Sequence, residues 1–222
     1  MVDPFDIIGP VMVGPSSSHT AGAVRLGRIA RAAAGGSVVA ADIGLHGSFA
    51  TTYKGHGTDA ALVAGLLGMG TDDERIPDAL RIARDVGLDV RFRVVDLEDA
   101  HPNTAVIAVT NESCAVTEVV GSSVGGGRVV VSRLDGFRVN LTGAYPTWVI
   151  PHLDRPGVVA AVAGALSSSG VNIAGMTVAR KQKGAEAIMV IEVDHPGPVE
   201  LQGILAELPN VLGVRYIEPI AL

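Results

Sequence analysis

The sequence predicts an α/β (α+β) protein built in two parts. Helical and alternating hydrophobic patterns follow one another through the first two thirds of the chain. The composition then changes at TGAYPTWVIPHLDRPG, near Thr142–Pro146. Beyond this change the predicted elements are strand 147–152, helix 157–169, strand 171–181, strand 185–194, helix 198–208 and strand 211–217. This βαββαβ order is that of a ferredoxin-like domain, so we predict one domain over 1–143 and a second over 147–222.

Composition excludes several classes of protein. The chain has 222 residues, 48% hydrophobic and 18% charged, which suits a folded protein with a substantial core. Its net charge is −6, and no basic patch interleaved with aromatic residues is present, so we expect no nucleic-acid partner. No apolar run reaches the ~18 residues that span a membrane. The segment MVDPFDIIGP has no signal-peptide pattern, and we expect a cytoplasmic protein.

Cys114 is the single cysteine, so the chain can form no internal disulfide and cannot supply the thiolates of an iron–sulfur cluster. It lies in the alternating stretch SCAVTEVVG, which favours a buried strand residue over a nucleophile. The following GSSVGGG, residues 121–127, is predicted to be a plain hairpin turn. We predict no metal site in this chain.

Helices are predicted over 17–34, 57–69 and 74–86. In the first, Arg25, Arg28 and Arg31 recur on a side away from the apolar residues, and Gly35 stops the helix. A strand through SVVAADIGLHGS separates it from the second helix, which Thr58 or Asp59 is placed to cap.

Three segments of the first part combine histidine or hydroxyl residues with glycine: GPSSSHTAG, LHGSFATT and KGHGTDAAL. Two of them precede predicted helices, whose first N–H groups attract anions. Serine caps and hydrogen-bonded loop histidines would explain each segment alone. The recurrence of His19, His46 and His56 in such positions favours a functional site. GPSSSHT lacks the G-K-[ST] ending of a nucleotide phosphate loop, which excludes that interpretation.

The segment VIPHLDRPGVVAAVAGALSSSGVNIAGMTVAR resembles an ACT domain, a small-molecule regulatory module of amino-acid metabolism. Pro156 fits the start of a helix, and Gly157 allows a ligand to approach the backbone. The resemblance implies a ligand site, usually at an interface between two such domains, at Asp154, Arg155, Gly157, Asn172 and Ile173. Asp154 stands where many ACT loops have asparagine, which favours an ammonium group or a monovalent cation over a carboxylate. Alternatively, the module serves only for dimerisation.

The segments IGPVMVGPSSSHTAG and LHGSFATTYKGHGTDAALVAGLLG, followed by the ACT-like module, resemble the β subunit of iron–sulfur-dependent bacterial L-serine dehydratases. The first domain is also similar to the allosteric substrate-binding domain of some phosphoglycerate dehydrogenases. The resemblance implies a lyase of amino-acid catabolism and gluconeogenesis that converts L-serine to pyruvate and ammonia. It further implies an α subunit whose 4Fe-4S cluster acts as a Lewis acid on the serine hydroxyl, and a homodimer formed through the ACT domain. The alternative is a non-catalytic amino-acid-sensing regulatory protein.

By this resemblance we assign site roles. His19 and His56 are the predicted catalytic residues, as carboxylate donor or in proton transfer. The residues predicted to bind the substrate carboxylate are Ser16, Ser17, Ser18 and Lys54, although Lys54 can instead be solvated. Those predicted to support the site from behind are His46, Ser48, Thr58 and Asp59.

Overall fold

The computed structural model describes residues 11–220, and the chain divides between Asp135 and Gly136 into two compact units. The strands of the first unit are β1 (Val38–Leu45), β2 (Asp89–Val94), β3 (Thr104–Asn111), β4 (Val116–Gly125) and β5 (Arg128–Leu134). Its helices are α1 (Gly22–Ala34), α2 (Gly47–His56), α3 (Thr58–Leu66) and α4 (Ala79–Asp85). The strands lie in the order β2-β1-β3-β4-β5. Only the β1–β2 pair is parallel, and α1 packs on β3, β4 and β5.

A further helical turn precedes α1 and is continuous with it. Residues Ser17–Ala21 form a π-helical turn that continues directly into α1. Gly35 ends the helix in the left-handed region, at φ 64°, where glycine is favoured. The helix predicted over 17–34 is therefore confirmed, with a wider first turn. Arg25, predicted on the polar side, is instead buried, because α1 is enclosed on both sides by the sheet and by α3.

Helices α1 and α3 meet backbone to backbone. A Cβ atom placed on Gly27 would overlap the carbonyl oxygen of Leu62 and lie 3.0 Å from Gly65 Cα. Reciprocally, a Cβ on Gly65 would overlap the carbonyl oxygen of Val24 and lie 2.8 Å from Gly27 Cα. Neither position has room for a side chain, so the glycines set the distance between the two helices.

Helix α2 was not predicted from the sequence. Its sequence, GSFATTYKGH, is polar and contains two glycines, so it has no clear apolar stripe. The predicted strand ends at Leu45 instead of continuing to Ser48. Lys54 and His56 consequently lie on a helix, and the predicted loop before α3 is reduced to Gly57, whose φ of 67° joins the two helices.

Two further predictions in the first unit were wrong. Cys114 is exposed in the turn between β3 and β4, with φ 61°, because β4 begins only at Val116. The hairpin turn predicted over 121–127 is also shorter, since β4 extends to Gly125 and the turn comprises Gly126 and Gly127.

The strands of the second unit are β6 (Phe137–Leu141), β7 (Thr147–Leu153), β8 (Ile173–Arg180), β9 (Glu186–Val193) and β10 (Arg215–Ile217). Its helices are α5 (Val158–Ser168) and α6 (Leu201–Ala206). Four strands form an antiparallel sheet in the order β10-β7-β9-β8, and both helices contribute to one apolar core with Trp148, Ile150 and Met189. The βαββαβ order is confirmed. Strand β6 falls in this unit and contacts β8 and β9. The domain bounds predicted over 1–143 and 147–222 stay a prediction.

No helix within residues 11–220 has both the length and the apolarity needed to cross a membrane.

We predict that Gly27→Ala lowers the free energy of unfolding by about 3 kcal/mol, because the new methyl group would force α1 and α3 apart. Gly55→Ala, on the same unit, is the matched control. Gly55 is helical and nothing lies within 4 Å of the position that its new methyl group would take, so this change should gain about 0.5–1 kcal/mol of helix propensity. Urea denaturation of both variants measures the difference, and equal stabilities would refute the close contact.

Candidate active site

His19 lies in the π-helical turn at the start of the first helix. Ser16 precedes this turn with an extended backbone, and its Oγ accepts a hydrogen bond from the His19 N–H at 3.2 Å. The same Oγ is 3.4 Å from His19 Nδ1. Ser16 is therefore a helix cap, as its position in the sequence predicted, and it also contacts the imidazole of His19.

The other edge of the His19 ring faces α2. Its Nε2 lies 3.1 Å from Ser48 Oγ, and the ring meets Phe49 edge-on at a centroid distance of 5.3 Å. A neutral imidazole has one donor and one acceptor nitrogen, and a hydroxyl group can fill either role. Ser48 was predicted to support the site from behind, but the structure shows it in direct contact with His19. Phe49 is fully buried and was missed in the sequence, because the helix that contains it was missed.

His56 ends α2 on the same side as Ser48. Its ring lies 4.8 Å from the ring of His19, with an angle of 52° between the planes. The two predicted catalytic histidines are therefore neighbours. Residues from the segments GPSSSHTAG, LHGSFATT and KGHGTDAAL therefore meet here. They do so because α2 connects the end of β1 to the start of α3.

Burial lowers the pKa of His19 below its ordinary value of 6.5, and the nearby charge of a protonated His56 lowers it further. His19 is consequently neutral at pH 7. A neutral His19 can give one hydrogen bond and accept one without altering the net charge of the site.

Several buried polar atoms near these histidines are unpaired. Within residues 11–220, no hydrogen-bond partner is found for His56 Nδ1, Thr58 Oγ1 or Thr20 Oγ1. Thr58 was predicted as a possible helix cap, yet the N-cap of α3 is Gly57. Asp59 Oδ1 accepts a hydrogen bond from the N–H of Ala60. Unpaired buried polar groups cost free energy, so these atoms destabilise the region around the two histidines unless another group pairs with them.

Other predicted site residues do not converge on the histidine pair. Lys54 is exposed, with its Nζ 5.7 Å from the ring centre of Tyr53, and it lines a surface hollow of about 670 Å³ together with Asp59. The structure thus favours the solvated alternative for Lys54. Ser17 and Ser18 are half-buried, and neither side chain makes a hydrogen bond to another described residue.

His46 supports the approach to α2. Its Nδ1 accepts a hydrogen bond from the N–H of Leu97 at 3.2 Å and lies 3.7 Å from a carboxylate oxygen of Asp96. His46 therefore ties the segment after β2 to the start of α2. The supporting role predicted for it behind the histidine pair stays a prediction.

Both parts of the chain are similar to known proteins. The family model described as serine dehydratase beta chain matches residues 4–85, and the ACT domain model matches residues 152–210. A probable L-serine dehydratase beta chain of Bacillus subtilis is 46% identical and covers 96% of both chains. An L-serine dehydratase beta chain of Peptoniphilus asaccharolyticus is 34% identical over 96% of this chain and 97% of that one. The chain belongs to the serine dehydratase beta-chain family. D-3-phosphoglycerate dehydrogenase of Methanocaldococcus jannaschii is 32% identical over 50% of this beta chain and 21% of its own length.

The ACT loop of this beta chain has its carboxylate already paired. Asp154 Oδ2 accepts hydrogen bonds from the Gly184 N–H at 2.9 Å and from Arg180 Nη1 at 2.7 Å. These contacts, first that of Gly184, hold the pKa of Asp154 below its ordinary value. The guanidinium of Arg180 already compensates the negative charge of Asp154, which a bound cation or ammonium group would need. Binding of a monovalent cation at this loop stays a prediction, and the paired carboxylate of Asp154 does not support it.

The five predicted regulatory residues lie at two ends of the ACT sheet. Asp154 is beside the β8–β9 turn, whereas Asn172 precedes β8 and its Nδ2 donates to Asp194 Oδ2 at 2.8 Å. The seven-residue rise from Ile173 to Arg180 separates these ends by about 23 Å. Arg155 and Gly157, with φ 91°, belong to the Asp154 end. A single chain therefore does not bring the five together.

The described residues do not fit an iron–sulfur cluster or another metal ion. Between residues 11 and 220 there is no group of three or more His, Cys, Asp or Glu side chains that could hold a metal. Cys114 is exposed and distant in sequence from the histidine segments.

We predict that His19 titrates below pH 6.5 and that His56→Gln raises the pKa of His19 only part of the way to that value, because burial is the larger cause. Histidine NMR titration of both proteins measures this. The stability linked to His19 is fully present above pH 6.5 and falls as the pH drops, since the unfolded chain binds the proton first. A His19 pKa at or above 6.5 in the folded wild type would contradict the expectation.

Proposed function

We propose that this beta chain acts with an iron–sulfur alpha chain to convert L-serine to pyruvate and ammonia. The contact between His19 and His56, in the region matched by the family model, is the observation that supports it most. The relatives named as L-serine dehydratase beta chains match almost the whole chain. No comparison favours the purely regulatory alternative. We assign the 4Fe-4S cluster to the alpha chain, and the steps below belong to residues of the beta chain.

Binding of the substrate carboxylate is assigned to the start of the first helix. The hydroxyl groups of Ser17 and Ser18 are not engaged with other described side chains, and Ser16 already faces the imidazole of His19. Helix starts also present N–H groups and a partial positive charge. A carboxylate placed there would lie next to the two histidines.

The two histidines receive different tasks. Both nitrogens of His19 lie near serine hydroxyls, and its pKa is lowered, so it remains a neutral hydrogen-bonding group. His56 Nδ1 is buried and, among residues 11–220, unpaired. We assign removal of the α proton to the imidazole of His56, with His19 holding the substrate in place. Loss of the β hydroxyl as water then gives aminoacrylate, which hydrolyses to pyruvate and ammonia.

We predict that His56→Ala, in the complex with the alpha chain, lowers the turnover of L-serine by about 10²–10⁴-fold. The complex should remain intact, because His56 lies at a helix end. Anaerobic co-expression, size-exclusion chromatography and pyruvate formation measure these quantities. His195→Ala is the matched control, since His195 is exposed in the second unit and should keep wild-type turnover. Normal turnover of His56→Ala would refute the assignment.

We further propose that two beta chains dimerise through β8. This strand is the last in the order of its sheet, and Met176 and Val178 are 43% and 46% exposed. They pair with Ile191 and Met189, so they extend the apolar core to the edge. Unpaired edge strands of this kind bind another strand readily.

Antiparallel pairing of two β8 strands about a two-fold axis would also complete the regulatory site. It would place the Arg180 end of one strand beside the Ile173 end of the other. Asp154 and Arg155 of one chain would then lie near Asn172 and Ile173 of the second, which a single chain keeps apart. An effector site shared between two chains follows from this arrangement.

We predict that the isolated beta chain is a dimer and that the double variant Met176→Lys, Val178→Lys is a monomer, because two charges on each strand would repel. Light scattering after size exclusion measures the mass. Val116→Lys is the control, since Val116 is 63% exposed on the first unit and should leave the dimer unchanged. A monomeric wild type or a dimeric double variant would contradict the proposal.

A further inference from the structure

Phe49 is a residue beside the histidine pair for which the sequence predicts no role. It lies in the first turn of α2, directly after Ser48, and its side chain is fully buried. Its ring meets the imidazole of His19 at a centroid distance of 5.3 Å, with an angle of 65° between the planes. One side of the His19 ring is therefore closed by an apolar group.

The two nitrogens of His19 are held by other residues. Nε2 lies 3.1 Å from Ser48 Oγ, and Nδ1 lies 3.4 Å from Ser16 Oγ. A hydroxyl group can donate to or accept from a neutral imidazole, and it can accept from an imidazolium as well. These contacts therefore orient the ring of His19 without selecting its charge. The charge depends on what else surrounds the ring.

Charged and titratable groups lie on four elements that pack against the turn of His19. They are His56, Lys54 and Tyr53 on α2, the three arginines of α1, Asp59 on α3 and Glu118 on β4. Of these, His56 lowers the pKa of His19, but burial of the imidazole is the larger cause. Uncharged surroundings of His19 consequently matter more than its charged neighbours.

An aromatic neighbour acts on the charge of an imidazole in two opposite ways. The face of its ring attracts a cation, which would raise the pKa of the imidazole. Its apolar surface also excludes water, which destabilises the charged form and lowers the pKa. Because burial is the main cause of the lowered pKa of His19, we expect exclusion of water to be the larger effect of Phe49.

We propose that Phe49 is a positioning residue for the histidine pair: its ring excludes water from one side of His19 and keeps that imidazole uncharged. The inference rests on the proposed function, in which His56 takes up the α proton. The imidazolium formed on His56 lies 4.8 Å from the ring of His19, and a second positive charge there would oppose the proton transfer. Phe49 thus acts on the reaction through His19, without contact to the substrate.

Histidine NMR titration of the isolated beta chain measures the charge of His19 without requiring turnover. Phe49→Ala admits water beside the imidazole, so the pKa of His19 should rise towards 6.5. Phe49→Val should shift this pKa in the same direction, and it keeps the test usable should Phe49→Ala fail to fold. Phe49→Leu retains most of the apolar volume and should keep the lowered pKa. Phe137→Val is the matched control, because it removes a buried ring of the second unit and should leave the pKa of His19 unchanged.

The complex with the alpha chain tests the consequence for the reaction. A histidine whose pKa has reached 6.5 loses about fourfold of its neutral form between pH 7.5 and pH 6.0. Over this range, turnover of L-serine by Phe49→Ala or Phe49→Val should therefore fall up to about fourfold further than turnover by the wild type. Phe49→Leu should follow the wild-type pH profile.

The two measurements separate this proposal from the proposed function. An unchanged or lowered pKa of His19 in the folded alanine or valine variant overturns the role of Phe49, and so does an equal rise of the pKa in Phe49→Leu. A raised pKa with a wild-type pH profile overturns it as well. A wild-type complex that forms no pyruvate would refute the proposed function, whereas the NMR titration would still decide whether Phe49 keeps His19 uncharged.

Discussion

The contact between α1 and α3 fixes the geometry on which the candidate site depends. Gly27 and Gly65 bring the two helices to backbone distance, with no side chain between them. His19 lies in the π-helical turn that precedes α1, and His56 lies one residue before Gly57, the N-cap of α3. The separation of the two imidazoles is thus set by helix packing. Tightly packed interiors resist small displacements, so this arrangement holds the pair in place before any substrate binds.

Buried polar atoms without a hydrogen-bond partner occur in the first unit around α1 and α3. Thr20, Arg25, Thr58 and Ser123 are each at least 98% buried and each has a polar atom without a partner within residues 11–220. Folded proteins pair nearly all such atoms, because an unmade hydrogen bond costs about 1–3 kcal/mol. These unpaired atoms therefore lower the stability of the first unit by an amount that its other contacts must offset.

The sequence predicted the periodic elements and missed those that depend on tertiary contacts. α1, α3 and the βαββαβ order follow from hydrophobic period and from glycine stops. Helix α2 was missed because its polar, glycine-containing sequence has no apolar stripe, although it contributes Ser48, Phe49 and His56. Cys114 was assigned to a strand by alternation, but the strand begins two residues later. Arg25 was placed on a polar face because periodicity alone does not show that α1 is enclosed.

The motifs predicted which residues form the histidine pair, while their spatial relations required the fold. Segments around His19 and His56 are 37 positions apart in the chain, and only the α2–α3 corner brings them together. The ACT motif illustrates the opposite case. Asp154 and Asn172 are close in sequence, yet strand β8 holds them at two ends of one sheet, so motif proximity suggested a compact site that a single chain does not form.

This separation has a thermodynamic consequence in the proposed dimer. An effector that contacts the Asp154 end of one chain and the Asn172 end of another binds only the dimer, so effector binding and dimerisation must strengthen each other by the same factor. The ion pair of Asp154 with Arg180 opposes a cation at that carboxylate in the free chain. An effector with its own carboxylate would instead compete with Asp154 for Arg180, and the freed Asp154 could then accept a hydrogen bond from an ammonium group. An amino acid has both groups, so the charge arrangement that disfavours a simple cation at this loop is compatible with a zwitterion bound across the β8 edge.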